Sequence, residues 1–359
     1  MIAEGNSISL GPRPEISVIM ANYNCAPYLN DAIRSVQNQQ LQNIEIIVSD
    51  DASSDQSVDI VNGLMAKDFR IRLLRNDQNR GPAAARNRAI DVAAGEWIAI
   101  MDSDDLMHPQ RLAMLKNAAI RDGADLVADN ILEFFDDDLR SARRLLKGKW
   151  ASGPFWMDIL DFARLNDPYG SGPALGYLKP LIHASIFTAE KVRYDETLTI
   201  AEDYNLVIRL LLAGKTMRVY PIPRYYYRKR RSSISHRLNK NALEAIKRAD
   251  LELLGQASAK NKRLARTIAS RIKSIENAAA YEELLSALKG QQWFQALRVA
   301  LAWPRASLLL RLPLGVRLRQ LRLVRALAKI GQLKIWPESR AINDDDFEII
   351  PDPSGKETE

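Results

Sequence analysis

Gly95-Glu96-Trp97-Ile98-Ala99-Ile100-Met101-Asp102-Ser103-Asp104-Asp105 is the stretch on which the fold turns. A short apolar run bounded by Gly-Glu on one side and an acidic cluster on the other has the signature of a strand buried on both faces. Its last residues deliver three carboxylates to one spot. Outward from it, the same alternation recurs: apolar runs at Ile16–Ala21, Ile44–Ser49, Ile71–Arg75 and Leu126–Ala128 are separated by amphipathic segments at Tyr28–Gln39, Gln56–Lys67 and Ala83–Ala94. Leu29, Ala32, Ile33 and Val36 share one helical face, and Val58, Val61 and Leu64 another. Strands alternating with crossover helices predict an α/β fold with a mainly parallel, Rossmann-like sheet.

In an open α/β sheet, ligands sit beyond the carboxyl ends of the strands. Three polar clusters follow strands here: Asn22-Tyr23-Asn24, Asp50-Asp51-Ala52-Ser53 and Asp102-Ser103-Asp104-Asp105. Adjacent carboxylates repel one another, so Asp102, Asp104 and Asp105 call for a neutralising charge, and a hard divalent cation carrying a diphosphate supplies it. The alternative is an acidic turn capping a helix that starts near Pro109. Asp50 and Asp51 sit where a carboxylate can accept a nucleobase N–H, whereas Ser54 or Asp55 suits the cap of the following helix. Arg86 and Arg88 follow a flexible Gly81-Pro82 turn, and one of them can face phosphate or a core carboxylate. Glu202-Asp203 opens a helix that runs to Gly214; the pair either complements the helix dipole or supplies a general base distinct from the metal ligands. Arg228 to Arg231, with Ser232, Ser233 and Ser235, form an anion-binding cluster or a basic surface loop. His108, His183 and His236 are too scattered for a histidine metal site or a nucleophilic triad; His236 lies nearest the basic loop.

Taken in order, I-S-V-I-M-A-N-Y-N, I-V-S-D-D-A-S-S-D, R-N-R-A-I-D-V-A-A-G-E-W-I-A-I-M-D-S-D-D and A-E-D-Y-N-L resemble the family 2 glycosyltransferases over roughly residues 16–235. The resemblance implies a GT-A fold and inverting transfer from a UDP-sugar with Mg²⁺ or Mn²⁺. It assigns Ala21, through its backbone, and Asp51 to the uracil, with Asn24 nearby. It places Asp102, Asp104 and Asp105 at the ribose, diphosphate and metal, with Asp104 and Asp105 as the metal ligands. Asp203 becomes the catalytic base and Glu202 its helper or a structural neighbour, while Arg86 and Arg228 attend the phosphates. The chain as a whole, including Gly176-Tyr177-Leu178-Lys179-Pro180-Leu181, is similar to bacterial exopolysaccharide transferases of the succinoglycan type. That likeness makes glucose the leading donor sugar and puts Lys179 and His183 near the acceptor. No Q-x-x-R-W motif is present, which argues against processive synthesis.

The rest of the chain sets bounds. At 359 residues, with 47% hydrophobic and 26% charged residues, it suits a soluble catalytic domain plus an appendage. We divide it into a polar lead-in (1–14), a catalytic domain (15–236), a basic amphipathic helical region (237–338) and an acidic disordered tail (339–359). Glu133 to Asp138 reads as an acidic loop or exposed turn, and Met217 to Ile222 as a further strand. The single cysteine, Cys25, permits no internal disulfide, and the lead-in lacks the features of a secretory signal, so a reducing cytoplasm is expected. The most apolar window, 301–318, is broken by Pro304, Arg305, Arg311, Pro313 and Arg317 and does not span a bilayer. From Gln291 to Lys334 there are cations and no Asp or Glu, among Trp293, Phe294, Trp303 and several leucines. This composition suits the inner face of an anionic membrane, where a lipid-diphosphate-linked acceptor resides; a helical bundle or a dimer interface is the competing explanation. Nucleic acid is a poorer partner, because no nucleic-acid module accompanies the charge. Two rivals remain: a sugar-phosphate nucleotidyltransferase, which would want a glycine-rich, lysine-bearing loop after the first strand where Asn22-Tyr23-Asn24-Cys25 stands, and a non-catalytic membrane-surface scaffold.

Overall fold

The computed structural model describes residues 13–167, 172–230 and 239–310. The lead-in up to Gly11-Pro12, His236 with the serines of the basic loop, and the acidic tail lie outside the described residues. The sheet and the helices packed on it belong to one compact unit that runs up to Ser307.

The strands are β1 (Ile16–Asn22), β2 (Ile44–Asp50), β3 (Ile71–Arg75), β4 (Trp97–Asp102), β5 (Leu106–Met107), β6 (Leu126–Phe135), β7 (Asp138–Arg144), β8 (Phe155–Trp156), β9 (Leu181–His183) and β10 (Met217–Arg228). Between and after them run helices α1 (Ala26–Gln37), α2 (Ser57–Met65), α3 (Pro82–Val92), α4 (Arg111–Asp122), α5 (Ile159–Arg164), α6 (Ser185–Thr188) and α7 (Glu202–Leu212). Helices α8 (Lys240–Lys260), α9 (Lys262–Lys289), α10 (Trp293–Ala302) and α11 (Pro304–Leu308) complete the described chain. One sheet, in the order β3-β2-β1-β4-β9-β6-β10-β5, runs through the unit. β3, β2, β1 and β4 are mutually parallel, β9 is antiparallel to both β4 and β6, and β6 and β10 are again parallel.

Register does the positioning. Ala21 pairs with Ser49 on one side and Asp102 on the other, so the ends of β1, β2 and β4 fall in one row. β9 enters antiparallel, pairing Leu181 with Ala99 and His183 with Trp97. Lys179, just before β9, therefore arrives at the Asp102 rim, whereas His183 is carried to the opposite end of β4 and stacks edge-on against Trp97. The expected place for His183 beside the acceptor is thus corrected by strand direction. α1 buries Leu29, Ala32, Ile33 and Val36 as its periodicity predicts. α3 carries alanines at 83, 84, 85 and 89, all buried, and their small side chains let the helix lie close to β1 and β2 with Arg86 inside.

Two local readings change. Of Glu133 to Asp138 only Asp136-Asp137 form the exposed turn: β6 continues to Phe135, and β7 pairs back from Asp138 to Phe135. β10 does not stop at Ile222; it absorbs Pro221 and Pro223 through register shifts against β6 and runs on to Arg228. Such irregularities are how a strand accommodates prolines that cannot donate to the ladder. The helices after 236 are not a loose annex. Leu253, Ala257, Leu264, Ile268 and Ile272 belong to the same buried core as the sheet, and Leu243, Ile246 and Ile275 pack on Leu198.

Candidate active site

The row of strand ends opens into a cavity of about 850 Å³. Ala21, Asp51, Gly81, Arg86, Asp102, Asp104, Lys179, Glu202, Asp203 and Arg230 all line it. At its centre are three carboxylates and two cations. Lys179 Nζ lies 2.7 Å from Asp102 Oδ2 and 2.7 Å from Asp203 Oδ2. Arg86 donates through Nη2 to Asp102 Oδ1 (2.7 Å) and through Nη1 to Glu202 Oε1 (2.6 Å), with Asp203 Oδ1 3.8 Å away. Four elements distant in sequence are joined here: β4, α3, the turn before β9 and α7.

Each is aimed by local chemistry. Arg86 projects from α3, whose neighbour Asn87 holds the backbone of Tyr194 by two hydrogen bonds and so docks the segment leading to α7. Ala201, the residue before α7, is left-handed at φ 66°, a conformation that costs an alanine about 1 kcal/mol and turns Glu202 and Asp203 into the cavity. Burial works against Asp102's charge, but Lys179 and Arg86 outweigh it and hold the carboxyl well below its usual range. Burial likewise opposes the ammonium of Lys179, and the two aspartates overcome it and raise its proton affinity. Glu202 goes the other way, with burial pushing it up in spite of Arg86.

Asp51 lines the cavity and accepts from Asn76 Nδ2 (2.7 Å), the Arg80 N–H (3.0 Å) and the Gly81 N–H (2.7 Å). The Arg80 N–H also reaches the other carboxylate oxygen (3.1 Å), so protein donors meet both oxygens of Asp51. Asn24 is corrected: it is a brace, its Oδ1 accepting the Ser54 N–H (2.8 Å) and its own N–H donating to Ser53 Oγ (2.9 Å), and it does not line the cavity. Asp105 is corrected as well. It is fully buried, accepts the Tyr225 hydroxyl (2.7 Å) and the Arg228 N–H (2.8 Å), and anchors β10 rather than facing the cavity. Burial, then repulsion from Asp104 and Asp102, raises its carboxyl far above the ordinary range. Arg228 is spent on the Asp104 carbonyl (2.7 Å), on Asp136 and on the rings of Tyr28 and Phe134. Arg230 takes the place expected for it, lining the cavity with Nη2 2.6 Å from Asp104 Oδ2. Arg86 touches the cavity, but both its terminal nitrogens serve carboxylates, so it organises the lattice rather than a phosphate.

Among the described residues no cluster of three or more metal-ligating side chains exists. Asp104 is still a fitting single ligand: it faces the cavity, and burial, only partly offset by Arg230, lifts its carboxyl above the normal range. A carboxyl so poorly compensated favours a nearby cation, and Mg²⁺ needs only one or two carboxylates when a diphosphate and water fill its other positions. Asp105 does not fit.

A parallel sheet extended by an antiparallel β9, with its ligand rim at the Asp102 end, is the GT-A glycosyltransferase fold. The S. aureus TarS 1-349 structure in complex with UDP-GlcNAc superposes with a TM-score of 0.57 at 17% identity, over 81% of this chain and 92% of that one. Residues 17–184 match glycosyl transferase family 2. The succinoglycan biosynthesis protein ExoO of Rhizobium meliloti (strain 1021) is 34% identical over 309 residues, 86% of this chain and 87% of its own length. The Escherichia coli enzyme WfaP, a UDP-Glc:alpha-D-GlcNAc-diphosphoundecaprenol beta-1,3-glucosyltransferase, is 43% identical over 90 residues, 25% of this chain and 35% of its own. The chain belongs to glycosyl transferase family 2 and is a glycosyltransferase. The nucleotidyltransferase reading is set aside.

Lys179 is what holds Asp102 and Asp203 together, and its loss leaves two buried carboxylates facing each other. Because Asp102's folded carboxyl is depressed, its stabilisation is complete above the unfolded value of about 3.9 and drains away as pH falls through the folded value. Lys179→Met is expected to lower unfolding free energy by about 3–5 kcal/mol near neutral pH and to flatten the acid loss below about pH 4. Urea unfolding across pH measures both, and a variant as stable as the parent would contradict the lattice.

Proposed function

We propose that this enzyme moves a sugar, glucose in the first instance, from a UDP-sugar to a hydroxyl of a lipid-linked saccharide, with inversion at the anomeric carbon, in exopolysaccharide or other surface polysaccharide synthesis. The observation that carries the reading is Asp203. It lines the cavity, apart from Asp104, with one oxygen committed to Lys179 and the other turned toward the same lattice. A base fixed on one side accepts a proton along one direction.

The uracil is held by the Ala21 backbone and the Asp51 carboxylate, and the ribose lies at Asp102. The diphosphate lies at Arg230, taking the place of Asp104 in that ion pair. A Mg²⁺ or Mn²⁺ on Asp104 would neutralise the charge that develops on the departing phosphate. The acceptor hydroxyl gives its proton to Asp203 as its oxygen bonds to C1, and the C1–O bond to UDP breaks with its electron pair leaving on the diphosphate. Lys179 and Arg86 keep the base oriented through the step. Glucose and the lipid-linked acceptor are supported by what WfaP's name records of that protein, and by its similarity to this one. Surface polysaccharide synthesis is supported by the similarity to ExoO.

The acceptor also accounts for α10. Trp293, Phe294, Leu297 and Leu301 stand exposed along it, Phe294 at 93%, and Arg298 and Arg305 are exposed beside them. Apolar residues rimmed by arginines suit the boundary of an anionic bilayer. No described helix is long and apolar enough to cross a membrane. The enzyme thus works as a peripheral protein at the cytoplasmic leaflet.

Asp203→Asn should lower the transfer rate by about 10²–10⁴-fold while leaving UDP binding intact, as read by labelled-sugar transfer and by calorimetry with UDP; a variant with parental turnover would remove Asp203 from the mechanism. For the membrane reading, flotation with phosphatidylglycerol liposomes at low salt should carry the parent to the top and leave the Trp293→Ser, Phe294→Ser double variant at the bottom. Equal flotation of both, or of neither, argues against α10 as the contact.

A further inference from the structure

The cavity does not end at the carboxylates. It continues along a wall built by the turn after α5 (Leu165, Asn166, Asp167), by Tyr177, and by Ile246 of α8 and Arg271 of α9. The helices α8 and α9 in that wall lie outside the stretch that matches the family, which ends at 184. Its construction is specific. Arg271 is nearly fully buried, with Nε donating to the Asn166 carbonyl (3.1 Å), Nη1 paired with Asp250, and its guanidinium 3.9 Å from the centre of the Tyr204 ring. Tyr204 is the residue after Asp203 and stacks on Phe162 of α5. The helices are therefore tied directly to the residue beside the base.

The chemistry of this wall is that of a sugar site. Apolar faces (Leu165, Ile246, the ring of Tyr177) meet the carboxylate of Asp167, matching the C–H faces and hydroxyls of a pyranose, while the Asn166 amide is spent on the Phe162 carbonyl (2.6 Å) and the Gly176 N–H (2.6 Å). It is not the chemistry of a phosphate site. The charge of Arg271 is answered by Asp250, and Asp167 adds a second carboxylate, whose proton affinity burial raises. A diphosphate placed here would meet no uncompensated cation from these residues.

Resting on the proposed transferase reading, we infer that α8 and α9 complete a second subsite beyond Asp203, one that takes an uncharged sugar unit of the acceptor while its lipid diphosphate stays outside the cavity. Recognition then lies in the sugars, and a saccharide without a lipid or phosphate binds on its own.

Saturation-transfer NMR on the full chain with UDP present tests this, using a panel of glucose-, galactose- and N-acetylglucosamine-containing disaccharides, with inorganic pyrophosphate as the anionic competitor. At least one disaccharide should bind, pyrophosphate should not displace it, and Tyr177→Ala or Ile246→Trp should weaken it tenfold or more. Tyr177→Phe, which keeps the ring face, should restore binding. UDP affinity within twofold of the parent shows that each variant is folded and leaves the donor reading standing; a parent that fails to bind UDP overturns that reading instead. The inference is overturned if no disaccharide of the panel binds, if pyrophosphate displaces the one that does, or if Tyr177→Ala and Ile246→Trp, with UDP binding retained, bind it as the parent does.

Discussion

Burying like charges beside one another is the constraint on which this molecule depends. Asp102, Glu202 and Asp203 meet within reach of Arg86 and Lys179, so three carboxylates crowd two cations in the wall of the cavity. A buried ion pair is seldom a net source of stability, but removing one member is costly because the rest stay charged and desolvated. Such a lattice holds geometry more than it adds strength. The residues that define one site come from β4, α3, the turn before β9 and α7, and the charges enforce their meeting.

The same arrangement separates tasks that the sequence places side by side. Asp104 and Asp105 are neighbours, yet one faces the cavity and the other is sealed under β10, bonded to Tyr225 and to the backbone of Arg228. Arg228 and Arg230 divide in the same manner, the first packed between Tyr28 and Phe134, the second paired with Asp104. The buried members fix where the chain runs, and the exposed ones are left for a ligand.

The parallel half of the sheet was legible because its signals are local. Apolar runs of strand length and the face of α1 carry their own periodicity, and strands with polar ends already indicate a rim. The choice between adjacent aspartates was not legible, since nothing in Asp-Asp states which side chain a turn will rotate inward. Lys179 stood out only through the likeness to the succinoglycan-type transferases; its partners depend on the antiparallel entry of β9, a tertiary fact. The strand read at Met217 to Ile222 stopped short of Arg228 because the bulges that absorb Pro221 and Pro223 depend on pairing with β6. The packing of α8 and α9 into the sheet's own core was hidden because their faces are patterned alike for a bundle and for a partner surface.

The proposed single displacement requires a lone base on one side of the donor and the diphosphate on the other. The stereochemistry of the product tests it most directly. With an α-linked UDP-sugar as donor, proton NMR of the product should show the large anomeric coupling of a β-linkage for a gluco-configured sugar. An α-linked product would mean retention, and the role given to Asp203 would be wrong.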